Sequence, residues 1–155
     1  MKALTFFSLL AALSAVGCNK PAPASTPIDV VEYSANTSNL LQVAQEKIAA
    51  RKTPVLYFYA DWCGPCRRYR SSLTDPIVQA ALSKAVLIKI NIDHDSTLAA
   101  SYGVNAVPTF IKIDGNGNRI AQITSDKWEN DVPEEIAPVM AMLVNTRNFD
   151  SIDVQ

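Results

Sequence analysis

The sequence predicts an α/β fold in which helices cover both faces of a mixed central sheet. Two stretches, Val55–Ala60 and Ala85–Ile92, consist mainly of β-branched, aliphatic and aromatic residues, as is typical of strands buried on both faces. Segments with a helical spacing of apolar residues separate the strands, so the chain crosses over between parallel neighbours. A strong turn sequence, Asp114-Gly115-Asn116-Gly117, adds an antiparallel hairpin, which makes the sheet mixed.

The elements before the central strand are a short strand and one helix. Ile28–Tyr33 is predicted to form the first strand, and Thr37 or Ser38 is predicted to cap the helix that follows. We expect this helix to end near Arg51-Lys52, before the central strand at Val55–Ala60. Its apolar face comprises four residues, Leu40, Leu41, Ala44 and Ile48.

Four helices and a hairpin follow the central strand. One helix is expected from Cys63 toward Leu73, and another begins with Asp75 as its cap and Pro76 at its first position and runs through Leu82. A short helix between Asp95 and Tyr102 follows the second buried strand. The remaining elements are the hairpin strands Thr109–Ile113 and Arg119–Ile123 and a closing helix from about Pro133 to Asn145.

The composition predicts one globular domain that does not bind nucleic acid. The chain has 155 residues, of which 48% are hydrophobic and 19% are charged, a balance that suits a single domain. With 14 basic and 15 acidic side chains, its formal net charge is -1. Nucleic-acid binding requires a basic stripe, which the sequence lacks. We expect the protein to be a monomer.

Residues 1–17 have the features of a signal peptide. Lys2 is the only charge, an apolar stretch follows, and the small residues of Ala15-Val16-Gly17 precede Cys18. The stretch is shorter than the roughly 20 residues of a membrane-spanning helix. Its ending resembles the bacterial lipobox, although Ala15 stands where leucine is more common. The resemblance implies that Cys18 becomes a lipidated N-terminus; plain secretory cleavage is the alternative.

Residues 18–27 are predicted to form a flexible tether for a domain at residues 28–155. Asn19–Pro27 contains three prolines among small and polar residues, a composition that cannot bury a core. A lipid on Cys18 would anchor the domain to a membrane surface. The resemblance implies the periplasm-facing side of a Gram-negative cell envelope. Asn19 slightly favours the outer membrane, because aspartate at this position marks retention in the inner one.

Cys63 and Cys66 have the spacing of a redox-active pair. They lie at a junction between strand and helix, where free backbone N–H groups and the helix dipole favour a thiolate. Cys63 is the candidate catalytic nucleophile, and Cys66, one helical turn on and more buried, is the candidate resolving thiol, so that exchange leaves a Cys63–Cys66 disulfide. Gly64 permits close backbone approach, and Pro65 fixes the backbone at the helix start.

Two other uses of this cysteine pair fit the sequence less well. A zinc site needs a second pair of ligands, and only Cys18 and His94 are available, so no metal is expected. A purely structural disulfide that closes so short a loop would contribute little stability.

Four further residues have simpler interpretations than a role in chemistry. Arg67 and Arg68 either add positive potential at the cysteines or form a solvated helix surface. His94 is expected in a solvated loop because no further ligands converge on it. Trp128 is expected to anchor the core.

The run Tyr59-Ala60-Asp61-Trp62-Cys63-Gly64-Pro65-Cys66, with Val107-Pro108-Thr109 downstream, resembles the thioredoxin family. The likeness extends from about Leu40 to Val144 and implies the three-layer thioredoxin-like fold. Together with Asp75–Leu82, the run is most similar to the periplasmic C-terminal domain of the transmembrane disulfide-bond reductases (DsbD-like). Those proteins hand electrons to exported proteins.

The resemblance also implies roles for residues around the cysteines. Trp62 supports the site, Pro108 is cis and packs beside the pair, and the backbone of Val107 pairs with the substrate chain; by itself a Val-Pro bond is more often trans. Tyr57 replaces the buried aspartate of thioredoxins, and a tyrosine, which titrates at about pH 10, is a poor base. Proton transfer from Cys66 then falls to water, to Asp61 or to another group, and we expect slower turnover.

These features predict a protein-disulfide reductase that acts outside the cytoplasm without a cofactor. Its substrates would be the disulfides of exported proteins. A membrane electron-donor protein would re-reduce the pair, because no reducing thiol pool exists there. A disulfide oxidase or isomerase is the nearest alternative, and a non-catalytic binding lipoprotein with the same fold is another.

Overall fold

The computed structural model describes residues 26–36 and 38–147. The strands are β1 (Asp29–Glu32), β2 (Thr53–Tyr59), β3 (Ala85–Asn91), β4 (Thr109–Ile113) and β5 (Arg119–Thr124). The helices are α1 (Leu40–Ala49), α2 (Gly64–Ser72), α3 (Pro76–Ala81), α4 (Ser96–Ser101) and α5 (Pro133–Asn145), with a short 3-10 turn at Ser125–Lys127. Every predicted strand and helix is therefore present, in the predicted order.

The predictions for the signal peptide, for Cys18 and for most of the tether concern residues outside the described part of the chain. They stay predictions. Within residues 26–36 and 38–147, no helix is both long enough and apolar enough to cross a membrane.

The sheet has five strands in the order β1-β3-β2-β4-β5. Strands β1 and β2 pair with β3 in parallel, whereas β4 is antiparallel to β2 and β5 is antiparallel to β4. The predicted mixed sheet is confirmed. Since parallel strands end at the same edge of a sheet, the ends of β2 and β3 lie together, and the antiparallel β4 begins at that edge.

Side chains of β2 alternate between two apolar cores on opposite faces of the sheet. Val55 and Tyr57 lie in the first core with Phe110 of β4, and Leu56 and Phe58 lie in the second. Helices α2, α3 and α5 contribute buried side chains to the first core, and α1 and α4 contribute to the second. Helices on both faces confirm the three-layer arrangement, which buries residues 54–58 of β2 and so explains their apolar sequence.

Helix α1 begins and ends at residues other than those predicted. Its N-cap is Asn39 and not Thr37 or Ser38, because the Asn39 side chain accepts hydrogen bonds from the backbone N–H groups of Leu41 and Gln42; Thr37 itself lies outside the described residues. The helix ends at Ala49. Arg51 has a φ of +61°, a left-handed conformation that does not continue a helix.

Only half of the predicted apolar face of α1 is buried. Leu40 and Ala44 pack in the second core, whereas Leu41 and Ile48 are 43% and 41% exposed. These two side chains lie beside the β4–β5 turn: a Cβ built on Gly117 would be 2.7 Å from Leu41 Cδ2, and one on Gly115 would be 3.6 Å from Ile48 Cδ1. Helical spacing could not reveal the exposure of these two side chains, because their exposure depends on how the hairpin turn folds over α1.

Candidate active site

The two candidate cysteines lie where β2 is followed by α2. Cys63 is the N-cap of α2, and Pro65 stands in the first turn of the helix, as the sequence predicts. The backbone N–H of Cys66 donates a hydrogen bond to Cys63 Sγ at 3.1 Å. The sulfur thus occupies the place of a capping oxygen at the positive end of the helix dipole, where a thiolate is stabilised.

Cys63 and Cys66 form a disulfide in this structure, with an S–S distance of 2.08 Å and a Cα–Cα distance of 5.3 Å. Cys63 is 3% exposed and Cys66 is 0% exposed, so Cys66 is the more buried of the two by a small margin. Tyr59, Ile92 and Val107 pack around the pair. The arrangement can exchange two electrons between this disulfide and a dithiol.

In the loop before β4, Val107 packs against the cysteines and Pro108 follows it. The peptide bond between them is cis, as the resemblance implies, and Pro108 is buried. The carbonyl oxygen of Val107 lies 3.5 Å from Cys63 Sγ. Antiparallel pairing sets Thr109 opposite Phe58, so the start of β4 is held beside the end of β2 and the sulfurs.

Tyr57 is a buried hydrogen-bond donor beneath the pair. Its side chain is inaccessible to solvent, and its hydroxyl donates to the backbone carbonyl of Cys66 at 3.2 Å. Burial raises the pKa of Tyr57 to about 12, against a smaller opposing influence of the nearby Arg70 guanidinium. The hydroxyl therefore stays protonated at neutral pH. It supports the first turn of α2 and does not act as a base toward Cys66.

A chain of hydrogen bonds links Asp61 to Trp62 through the end of β3. Asn91 donates from Nδ2 to Asp61 Oδ2 at 3.2 Å, and its Oδ1 accepts from the backbone N–H of Asp93 at 2.9 Å. The Asp93 carboxylate accepts from the Trp62 indole N–H, with Oδ2 at 3.1 Å. Trp62 is 66% exposed, so the bond fixes a large apolar ring at the surface beside the cysteines.

Sequence reasoning did not find Asn91 and Asp93. They lie about thirty residues from the cysteine motif in the sequence and reach it only because parallel pairing sets Asn91 opposite Tyr59. The available signal was their position at the end of a buried strand, since polar residues that follow neighbouring parallel strands meet at one sheet edge.

The three arginines of α2 differ in their surroundings. Arg67 is exposed and donates from Nη1 to a backbone carbonyl of the preceding loop at 3.0 Å. Arg68 is also exposed, and its Nε lies 2.6 Å from Asp131 Oδ2. Arg70 is half-buried, with its guanidinium carbon 5.2 Å from the centre of the Tyr59 ring. Arg70, which the sequence analysis did not single out, is therefore the arginine that packs toward the first core.

The remaining predicted residues lie as follows. Gly64 is half-buried, and a Cβ there would meet only the ends of the Arg68 and Arg67 side chains, at 3.4 and 3.9 Å. Trp128 is buried in the first core, as predicted, and donates to Asp131 Oδ1 at 2.7 Å. His94 is exposed in the turn after β3. Among the described residues, no group of three or more His, Cys, Asp or Glu side chains is placed to hold a metal ion.

Comparison with known proteins shows that the chain is similar to thioredoxins. The family model described as thioredoxin matches residues 35–141. Thioredoxin-T of Drosophila melanogaster is 31% identical over 108 residues, a match that covers 63% of this chain and 68% of that protein. Probable thioredoxin-2 of Caenorhabditis elegans is 34% identical over 97 residues, covering 62% of this chain and 66% of that protein.

Solved structures show the same fold. The thioredoxin of Fasciola hepatica superposes with a TM-score of 0.54 at 22% identity and covers 75% of this chain and 99% of that one. Trxlp from Edwardsiella tarda superposes with a TM-score of 0.54 at 20% identity and covers 72% of this chain and 98% of that one. At these identities the likeness concerns the fold alone.

Proposed function

This chain belongs to the thioredoxin family, and from that premise we propose that it reduces disulfide bonds of exported proteins. It is a thiol-disulfide oxidoreductase with a Cys-X-X-Cys pair; the direction of electron flow and the substrates are what we propose. The observation that carries the proposal is the disulfide at the start of α2. There Cys63 Sγ accepts a hydrogen bond from the Cys66 N–H and lies 3.5 Å from the Val107 carbonyl.

In the proposed reaction the dithiol form transfers two electrons to a substrate disulfide. The Cys63 thiolate attacks one substrate sulfur, forms a mixed disulfide and releases the other substrate sulfur as a thiolate, which takes up a proton. Cys66 then loses its proton to solvent and attacks Cys63 Sγ. The mixed disulfide breaks, the second substrate sulfur leaves as a thiolate and takes up a proton from solvent, and the Cys63–Cys66 bond remains.

Two residues beside the sulfurs support binding of an extended substrate chain. The Val107 backbone lies in the loop before β4 and close to Cys63 Sγ, so a chain that pairs with it would present its disulfide to Cys63. Trp62 adds an exposed apolar ring that is fixed by its bond to Asp93. Such a site recognises backbone and apolar surface, which suits a reductase that acts on many proteins.

The proposed place of action is the periplasmic side of a Gram-negative envelope, where the protein would be anchored through a lipidated Cys18. This part depends on the leader sequence. Outside the cytoplasm the oxidised pair can be regenerated only by another dithiol, so the proposal requires a membrane electron-donor protein as reductant. The outer membrane is slightly favoured by Asn19.

The test is to trap the mixed disulfide in the cell envelope with the full-length Cys66→Ala variant. With the resolving thiol removed, Cys63 should stay linked to its partners, and reduction should release exported, disulfide-containing proteins. Cys63→Ser/Cys66→Ala is the matched control and should trap nothing. Recovery of cytoplasmic proteins alone would contradict the proposed location, and no trapping by either variant would contradict the proposed exchange reaction.

The reduction potential of the pair tests the direction of electron flow. Equilibration with glutathione should give a value near that of thioredoxin, about -270 mV, and below the roughly -120 mV of a strong oxidant such as DsbA. A value at the oxidising end would favour the disulfide oxidase or isomerase instead.

A further inference from the structure

Arg70 lies one helical turn after Cys66 on α2. Residues four apart on a helix are neighbours, with Cβ atoms about 5–6 Å apart. Side chains also lean toward the N-terminus of their helix, so the Arg70 stem points back toward the turn that carries the cysteines. The Arg70 side chain is half-buried, so water screens its charge less than that of an exposed arginine.

The Tyr59 ring contacts the Arg70 guanidinium. The guanidinium carbon lies 5.2 Å from the centre of the Tyr59 ring, within the range of a cation–π contact. The same ring packs against the cluster formed by Ala60, Cys63 and Cys66. One aromatic side chain thus contacts both the cation and the cluster that contains the redox pair.

Among the described residues, no carboxylate pairs with the charge of Arg70, whereas Lys89 and Arg68 each have one. Lys89, which also lies over the Tyr59 ring at 4.9 Å, forms an ion pair with Glu32 across the β1–β3 pairing. Arg68 forms its ion pair with Asp131. Within the described part of the chain Arg70 forms no ion pair, and the neighbouring Tyr57 hydroxyl is neutral.

We propose that Arg70 tunes the redox equilibrium of the Cys63–Cys66 pair by stabilising the thiolate of the reduced form. Reduction adds two electrons, breaks the S–S bond and, with uptake of one proton, leaves one thiol and one thiolate. A nearby positive charge lowers the free energy of the thiolate and leaves the neutral disulfide nearly unaffected. Arg70 therefore makes the disulfide easier to reduce. Arg70 is a positioning residue: its charge acts on the cysteines, and its side chain does not touch the substrate.

This inference rests on the proposed function only in taking Cys63 and Cys66 as the reacting pair. It deepens that proposal because the value of the potential decides how readily the dithiol passes its electrons on. A cation one helical turn from Cys66 moves the potential toward less reducing values, so Arg70 sets how strong a reductant the protein is.

The experiment compares Arg70→Gln, Arg70→Lys and Arg67→Gln with the wild type. Two quantities are measured: the pKa of the reduced pair, from the ultraviolet absorbance of the thiolate against pH, and the equilibrium constant with glutathione. Arg70→Gln should raise the thiol pKa by about one unit. At a pH above both thiol pKa values, the disulfide should become about tenfold harder to reduce, which for this two-electron couple is about 30 mV more negative.

The two controls separate charge from structure. Arg70→Lys keeps the charge and should stay within about threefold of the wild type in its equilibrium constant. Arg67→Gln removes an exposed charge closer to Cys66 in sequence and should also stay within about threefold, because solvent screens that charge. If Arg70→Gln is too unstable to purify, Arg70→Met makes the same comparison with a longer apolar stem.

Unchanged pKa and equilibrium constant in a folded Arg70→Gln protein would overturn the inference, as would an equal shift in Arg67→Gln. These outcomes are distinct from failure of the proposed function. That function is judged by the absolute potential of the wild type and by the trapped partners, whereas the inference is judged by the difference between variants.

Discussion

The hydroxyl of Tyr57 provides a stability prediction that the pH dependence can isolate. Tyr57→Phe removes only the oxygen that donates to the Cys66 carbonyl at 3.2 Å and leaves the ring stacked on Phe110. Loss of one buried hydrogen bond costs about 0.5–1.5 kcal/mol. Below pH 10 the variant should therefore be less stable than the wild type by about 1 kcal/mol.

As the pH rises above 10, the difference should shrink and then reverse. Burial raises the pKa of Tyr57 from 10.0 to about 12, so the folded wild type keeps a proton that the unfolded chain releases. Stability from this group is complete below pH 10 and is lost as the pH rises toward the folded pKa. The loss follows from linkage and reaches about 1.4 kcal/mol at about pH 11 and somewhat over 2 kcal/mol at about pH 12. The variant, which has no such group, should overtake the wild type near about pH 11.

The assay is urea unfolding of both oxidised proteins, followed by circular dichroism at a series of pH values from neutral to about pH 11.5. Other ionisations, including that of the buried Tyr69, occur in both proteins and cancel in the difference. The free energies of unfolding should converge and then cross. A difference that stays constant across this range would refute the reasoning, because it would mean that Tyr57 titrates alike in the folded and unfolded states.

Three further predictions concern the hairpin turn, the end of α5 and the active-site tryptophan. Gly117 has a φ of +80°, and a Cβ there would approach Leu41 to 2.7 Å, so Gly117→Ala should lower the free energy of unfolding by about 1–2 kcal/mol. Gly115→Ala, in ordinary contact only, should change it by less than about 0.5 kcal/mol, and equal losses would be inconsistent with this account. Lys112 donates from Nζ to the carbonyls of Val144 at 2.7 Å and Thr146 at 2.5 Å. Lys112→Met should therefore lower the free energy of unfolding, measured with denaturant, by about 1–3 kcal/mol. An unchanged unfolding midpoint would show that solvent replaces these bonds. Asp93→Ala should free the Trp62 ring, which lowers its fluorescence anisotropy and slows disulfide reduction a few-fold, whereas equal rates would exclude a role for the fixed ring.

The position of the cysteines could be predicted well from the sequence. Val55–Ala60 is apolar because β2 is buried on both faces, and the Pro65 that follows is placed where a helix begins. A strand followed directly by a helix start leaves the intervening Cys63 at the cap. These relations are local, so they can be predicted without knowledge of the remaining chain.

The surroundings of the cysteines could not be predicted in the same way. Asn91 and Asp93 meet the motif through the pairing of β2 with β3, and Val107 meets it through the antiparallel pairing of β4 with β2. The same limit explains the error at α1, where Leu41 and Ile48 have helical spacing but lie beside the hairpin turn. Contacts between distant segments depend on strand order and register, which a single sequence encodes only weakly.

The amino-acid sequence alone predicts the order of the strands and helices, the mixed sheet and the redox spacing of Cys63 and Cys66. It also shows that position 57 carries a tyrosine and no acid. Each of these depends on residue type and short-range spacing. The hydrogen bond from the Tyr57 hydroxyl to the Cys66 backbone and the position of Arg70 over the Tyr59 ring became known only from the tertiary structure. Charge and proton affinity depend on which groups are packed together and how deeply they are buried, and those relations exist only after the chain has folded.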